Sequence, residues 1–412
     1  MAELWNGKAI GVTAAQASGH APLSDTPPIS SIAMPRGSTY GGEHAFRWTE
    51  APRNVLIVKK LNDDKVTESF HAVVDHFQKH YPHVNIMVEE HVYERISEQH
   101  PYLTPVCKDD RALLADKTDF VVTLGGDGSI LHVSSLFDQS AVPPVLSFSL
   151  GTLGFLLPYD IHCFPAALDD VLHSRLTLLL RMRMSMTLWD DAPGQCLLLS
   201  DEQYCREVHF MNEVVLHRGR EPHMTTMDAY VNGEHLTRTI ADGLILSTPT
   251  GSTAYSLSAG GPIIHPSVST MMLTPISPRS LSFRTILFPS DATIDIFVSP
   301  NSRSPAEVSV DGREVRTLTP SQSARVQLSP YPLPCINFAP EVAAERRCGT
   351  TPESAAPAVV RDDWVHDINT LLRFNASFLA RDHDIPSVHC RSDHTYQRTL
   401  TEALSKHEKQ EK

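Results

Sequence analysis

Short apolar runs alternate with amphipathic segments through the first half of the chain. Residues 54–60, Asn-Val-Leu-Ile-Val-Lys-Lys, read as a buried strand of the parallel type, and residues 66–81 place Phe70, Val73, Val74 and Phe77 at helical spacing. Residues 84–88 return to a strand pattern, which makes a β-α-β beginning. Residues 119–124 form a further strand, followed by a helix over 129–137 with Ile130, Val133, Ser134 and Phe137 on one side and Ser129 as its N-cap. A strand over 145–150 and a helix over 164–173, with Leu168, Val171 and Leu172 apolar, complete the series. Residues 54–175 are therefore predicted to form an open α/β domain.

Near Leu176 the period changes to two. Residues 181–189 alternate, as does much of 209–217, and Tyr230-Val-Asn-Gly-Glu-His235 carries an Asn-Gly hairpin signal. Short strands recur at 292–298, 306–310 and 324–328, with a tight turn at Asp311-Gly312. Residues 176–340 are predicted to be a mainly antiparallel β domain. Residues 341–361 read as a linker. A helix over 362–380, with Trp364, Ile368, Leu371 and Leu372 on its apolar side, is expected to return to the first domain, and 381–412 to form a mobile tail. Residues 1–53, rich in Ala, Ser, Pro and Gly and without an apolar signal core, read as a disordered or organelle-targeting leader.

Composition narrows the function classes. A formal charge of -13, from 35 Lys plus Arg against 48 Asp plus Glu, argues against a nonspecific nucleic-acid binder. The seven cysteines include no close CxxC pair, which argues against a disulfide scaffold or a structural zinc site. No run approaches the roughly 18 to 20 apolar residues that span a bilayer. These features predict a soluble protein of a reducing compartment, without nucleic-acid or membrane partners.

The candidate chemistry begins at Leu124-Gly-Gly-Asp-Gly128, where a strand turns into a helix. Gly125, Gly126 and Gly128 remove side chains where a backbone can approach phosphates, and Asp127 places one carboxylate among them. An ordinary turn explains the same tetrapeptide. A second block, ADGLILSTPTGSTAYSLSAGG at 241–261, delivers the hydroxyls of Thr250, Ser252 and Thr253 and the ring of Tyr255 to one place. Those hydroxyls suit phosphate or ribose oxygens, and the ring suits a base. Taken singly, each hydroxyl also serves as a local turn or cap.

In their joint order these blocks resemble the NAD kinase family. The resemblance covers about residues 54–340 and 363–378, and adds Gly-Thr-Leu-Gly-Phe at 151–155, Asn212-Glu213, TPISPRSLSFR at 274–284 and SVDGRE at 309–314. The stretches at 217–228 and 236–242 are similar to the fungal mitochondrial NADH kinases, which favours the mitochondrial matrix over the cytoplasm. The resemblance implies an α/β domain followed by a β domain. It also implies transfer of the terminal phosphoryl group of ATP to the 2'-hydroxyl of the adenosine ribose in NAD+ or NADH.

By that kinship Asp127 is the catalytic residue, and Gly125, Gly126 and Gly128 form the phosphate cradle. Asn212 and Glu213 contact the dinucleotide, Asp242 supports the same pocket, and Thr253, Ala254 and Tyr255 form the adenine and ribose wall. Asp311 lines the substrate in the late Asp-Gly turn, where a simple hairpin is the competing explanation. Arg279 and Arg284 are candidates to neutralise phosphates across a subunit boundary, since the kinship implies a homo-oligomer. No protein metal cage is apparent, and Mg2+ is expected to enter with ATP. A related lipid or sugar kinase shares a GGDG-like turn but does not account for STPTGSTAY. A nucleotide-binding regulator without turnover is the alternative of another class.

Overall fold

The computed structural model describes residues 30–33, 40–41, 43–107, 110–150, 154–157, 159–190, 207–338 and 363–372. In chain order the first elements are β1 (Ser30–Ala33), β2 (Glu43–Trp48), β3 (Asn54–Lys59), α1 (Asp64–His80), β4 (Asn85–Glu89), α2 (Glu90–Ile96), β5 (Thr104–Val106) and α3 (Arg111–Lys117). They are followed by β6 (Phe120–Gly125), α4 (Asp127–Leu136), β7 (Val145–Ser149), β8 (Tyr159–Asp160), α5 (Phe164–Leu172) and β9 (Leu176–Arg181). The second half runs β10 (Met184–Asp190), β11 (Val208–Phe210), β12 (Glu213–His217), β13 (Thr225–Val231), β14 (Glu234–Ala241), β15 (Gly243–Ser247) and α6 (Tyr255–Ser258). It continues β16 (Thr270–Ile276), β17 (Ile286–Pro289), β18 (Ile294–Val298), β19 (Ala306–Val310), β20 (Arg313–Leu318), β21 (Gln322–Leu328), β22 (Leu333–Phe338) and α7 (Asp363–Leu372).

The first sheet has the order β1-β2-β9-β22-β7-β6-β3-β4-β5, with β8 pairing β7. Strands β3 to β7 are parallel and buried along their lengths where the apolar runs are continuous, as at Val55, Leu56, Ile57 and Val58. Helix α1 begins at an Asp63 N-cap and buries Val66, Phe70, Val73, Val74 and Phe77, which is the periodicity visible in the sequence. After β3 the chain winds out through β4 to β5, then returns to lay β6 on the other side of β3. That reversal creates a crevice at the carboxyl ends of β3 and β6, the usual ligand position of an open α/β sheet.

Two antiparallel sheets make the β domain, ordered β11-β10-β21-β18-β13-β14 and β17-β16-β15-β12-β19-β20. The two hairpins read from sequence are present. Asn232 and Gly233 have φ of 50° and 83°, and Asp311 and Gly312 have 46° and 77°, the positive pair that a two-residue hairpin of this type requires.

Three boundaries differ from expectation. β1 and β2 pair with each other, and β2 joins β9, so residues assigned to a leader extend the first sheet. Their anchor is aromatic: Trp48 packs near Phe46 and Phe120, and its indole N–H donates to the Val171 carbonyl at 2.7 Å. β9 and β22, assigned to the β domain, lie instead in the first sheet, where Cys335 of β22 pairs with Val145. Helix α4 starts earlier than the Ser129 cap implied, with extended Gly126 at the N-cap and Asp127 in its first turn.

One hydrophobic cluster joins the halves. Leu56, Val121, Ile130, Val133, Leu156 and Leu157 share it with Met211 and Leu333. Contacts separate residues 1–337 from 338–412. Within the latter, α7 buries Ile368 and exposes Val365, and residues 362 and 373–380 of the expected helix fall outside the described set. Among the described residues, Cys107, Cys163 and Cys335 are free thiols, and no helix is long and apolar enough to cross a membrane.

Candidate active site

The crevice at the carboxyl ends of β3 and β6 is a cavity of about 510 Å³, lined in part by Lys59, Lys60, Gly126, Gly128, Ser129 and His132. Gly125 also lines it and has φ of +153°, and an added Cβ would collide with the Ser129 hydroxyl. At Gly126 and Gly128 an added Cβ would meet nothing within 4 Å, so their bareness keeps room beside the first turn of α4 rather than relieving a clash within the chain. Free amides and the helix dipole make such a turn attractive to phosphate.

Asp127 opens that helix. Its carboxylate accepts the Phe155 N–H at 3.1 Å and the Leu156 N–H at 3.2 Å, one on each oxygen. Enclosure pushes its pKa above the ordinary carboxylate range, opposed by these two N–H groups and by Arg181. Arg181 in turn donates to the Phe155 carbonyl at 3.2 Å, fixing the segment that holds the acid. Gly154 is required there, because its Cβ would fall 2.1 Å from the Asp127 Oδ1. Gly151, Thr152 and Leu153 of the same motif fall outside the described residues.

The second wall is built around Asp311. Its carboxylate, on a half-buried residue, accepts the backbone N–H groups of Met211 at 3.0 Å, Asn212 at 2.8 Å and Glu213 at 3.1 Å. Asp311 is thus both the hairpin residue and the clamp on the Asn212-Glu213 segment. The STPTGSTAY block closes over the same segment: Thr248 donates its N–H to the Asn212 carbonyl at 3.0 Å, and Gly251 abuts that carbonyl so closely that no Cβ fits.

Glu213 is buried at the start of β12, with one carboxylate oxygen unpartnered. Burial first, and then the neighbouring Asp311, push its pKa up to about 7, opposed by the Tyr255 N–H. Tyr255 follows Ala254 at the start of α6 and is 44% exposed, available to stack. Met211 and Leu156 share the hydrophobic cluster, which brings this wall against the segment that holds Asp127.

Some expected residues have other duties. Ser252 is buried and spends its hydroxyl on the Ile264 backbone, donating to the carbonyl at 3.3 Å and accepting the N–H at 3.0 Å, so it is a clasp rather than a ligand donor. Thr253 donates to the Thr250 carbonyl at 3.3 Å. Asp242 sits at the opposite end of β15 from Ser247, the residue facing Glu213, and pairs with Arg218 at 2.7 Å. The strand between them spans roughly 13 Å or more, so this chain does not bring Asp242 to its own Asn212-Glu213 pocket. Arg279 and Arg284 are exposed.

Sequence reasoning missed Lys59, Lys60, Glu89 and His132, which line the crevice. Lys59 is buried, donates to the Thr67 hydroxyl at 3.1 Å and has its pKa lowered by burial, while Lys60 pairs with Asp63 at 3.2 Å. Their signal was two cations closing an apolar parallel strand, where a ligand crevice is expected.

An acid at a glycine turn, with a β-domain wall of carboxylates and an exposed tyrosine packed against the segment that holds it, suits a nucleotide-handling enzyme built of an α/β and a β domain. Residues 55–176 match the ATP-NAD kinase N-terminal domain and residues 211–338 the ATP-NAD kinase C-terminal domain. The mitochondrial NADH kinase of Schizosaccharomyces pombe is 41% identical over 337 residues, 81% of this chain and 78% of the relative. That of Saccharomyces cerevisiae is 36% identical over 354 residues, 80% of this chain and 83% of the relative. The crystal structure of yeast NADH kinase complexed with NADH superposes with a TM-score of 0.71 at 34% identity, covering 86% of this chain and 97% of the other. The chain belongs to the ATP-NAD kinase family. It is an enzyme that uses ATP to phosphorylate NAD(H), forming NADP(H).

Proposed function

We propose that Asp127 orients the adenosine 2'-hydroxyl of the dinucleotide and accepts its proton, while the glycine turn and the crevice beside it receive the phosphates of the donor. The hydroxyl oxygen forms its bond to the terminal phosphorus as the bond from that phosphorus to the ADP oxygen breaks, and the proton passes to Asp127. The observation that carries this reading is the pinning of Asp127 by the Phe155 and Leu156 N–H groups at the first turn of α4. Pinning fixes the carboxylate's direction, and enclosure makes it a stronger base than an exposed aspartate.

Asn212, Glu213, Thr253, Ala254 and Tyr255 hold the adenosine end, with Asp311 setting the backbone of the first two. Among the described residues no group of three or more His, Cys, Asp or Glu side chains converges on a metal position. In this reading Mg2+ enters with the triphosphate, where it offsets phosphate charge. The names of two relatives favour NADH as substrate and the mitochondrion as compartment. The remoteness of Asp242 from Glu213, and the exposure of Leu281 at 83%, favour a homo-oligomer in which a second copy meets the β domain.

The decisive experiment incubates purified protein with ATP, Mg2+ and either NAD+ or NADH, and quantifies NADP+ and NADPH separately. NADPH formation exceeding NADP+ formation supports the NADH assignment, and the reverse ratio rejects it. Turnover unaffected by Asp127→Asn rejects the role of the acid.

A further inference from the structure

Arg313 bridges the two walls of the site. It begins β20, two residues after Asp311, and its guanidinium donates to the Ser135 hydroxyl at 2.6 Å and to His132 Nδ1 at 2.8 Å, both on α4. Because a guanidinium only donates, Nδ1 of His132 is the acceptor, and the ring carries its hydrogen on Nε2. That nitrogen lies 2.8 Å from the Glu89 carboxylate, at the end of β4. His132 and Glu89 both line the crevice, whereas Arg313 does not.

The connections form one continuous chain. At one end, the Asp311 carboxylate fixes the backbone of Asn212 and Glu213. At the other, His132 and Glu89 border the space beside the glycine turn. Between them lie only Gly312 and the Arg313 side chain. No comparable polar link from this hairpin to α4 is needed for its own folding, since the β19 and β20 pairing and the positive φ of Asp311 and Gly312 already complete the turn.

We propose that Arg313 is a positioning residue that couples the two substrates of this enzyme, so that occupancy of the crevice by the donor phosphates strengthens binding of the dinucleotide at the Asn212-Glu213 wall, and the reverse. The inference rests on the assignment of the donor to the crevice. A donor that orders His132 and Glu89 also orders Arg313, and through it the hairpin that clamps residues 211–213. By reciprocity the dinucleotide must then raise donor affinity by the same factor.

The test is a binding cycle on the full chain. Affinities of NAD+ and of the Mg2+ complex of the β,γ-imido analogue of ATP are measured by calorimetry, each alone and in the presence of the other, in the wild type, Arg313→Ala, Arg313→Lys and Ser135→Ala. In the wild type each ligand is expected to tighten the other by about 5-fold or more. In Arg313→Ala that factor is expected to fall within about 2-fold of unity, with each ligand alone bound within about 3-fold of wild type. Arg313→Lys and Ser135→Ala, each keeping part of the bridge, should give intermediate factors. Absence of coupling in a wild type that binds both ligands overturns the proposal. So does coupling unchanged in a folded Arg313→Ala protein, or loss of its binary dinucleotide binding. A wild type that binds neither ligand and makes no NADP(H) instead rejects the assignment of the site itself.

Discussion

Glu213 makes the stability of the fold depend on pH. An acid whose folded pKa lies above its unfolded value stabilises the fold in its protonated form. That contribution is fully present below the ordinary value of 4.5 and is lost as pH rises through about 7. The span between those values corresponds to about 3 kcal/mol, an upper figure because Asp311 beside it also has its pKa raised by burial and the two share the effect. Glu213→Gln keeps the shape and an oxygen for the Tyr255 N–H but removes the charge. Relative to wild type, the variant should therefore gain stability by up to about 3 kcal/mol on going from about pH 5 to about pH 8. Urea unfolding of the ligand-free proteins, followed by tryptophan fluorescence across that range, measures the difference. Parallel pH profiles for the two proteins would refute the reasoning.

Asp127→Asn should lower kcat by about 10³-fold while dinucleotide affinity, read by calorimetry, stays within a few-fold; a loss below about tenfold removes the acid from the chemistry. Gly154→Ala drives a methyl group into the Asp127 carboxylate, and should suppress kcat and cost about 1 to 3 kcal/mol of stability. Wild-type kcat in that variant would mean that the pinned geometry is unimportant. Tyr255→Ala should weaken dinucleotide binding by about 5-fold, the equivalent of about 1 kcal/mol of stacking; unchanged affinity would dismiss the ring as a wall of the site.

How far the sequence revealed this molecule depended on whether each feature was local. The α1 face, the parallel strands and both hairpins are written in periods of 3.6 and 2 and in Asn-Gly and Asp-Gly pairs, which act over a few residues. β9 and β22 share the strand pattern of their sequence neighbours, and only long-range pairing assigns them to the first sheet. Phe46 and Trp48 were hidden by the Ser-, Pro- and Gly-rich stretch around them, although His44, Phe46 and Trp48 alternate as one buried face. In the site, Asp127 and Asp311 were found because short motifs mark them. The bonds that give them meaning, from Phe155, Leu156 and residues 211–213, join segments about 30 and 100 residues apart and have no local signature. Ser252 shows the converse, a hydroxyl in a ligand-like motif whose bonds are spent inside the fold.

The raised carboxylates of Glu213 and Asp127 divide the work by position rather than by basicity. Glu213 lies under the Tyr255 backbone and beside Asp311, so near neutrality it is divided between a protonated form that donates to a ligand oxygen and an ionised form that accepts from a hydroxyl. In the proposed reading either form can hold the adenosine ribose, but Glu213 begins β12 and does not stand on the helix turn assigned to the phosphates. Asp127 does stand on that turn, with both oxygens already directed by backbone N–H groups that resist its reorientation as charge develops. In the proposed reaction the base must touch the attacking oxygen while the phosphorus sits against the glycine turn, and Asp127, embedded in that turn, is placed to meet both conditions. Loss of the Glu213 charge should therefore appear mainly in dinucleotide affinity, and loss of the Asp127 charge mainly in turnover.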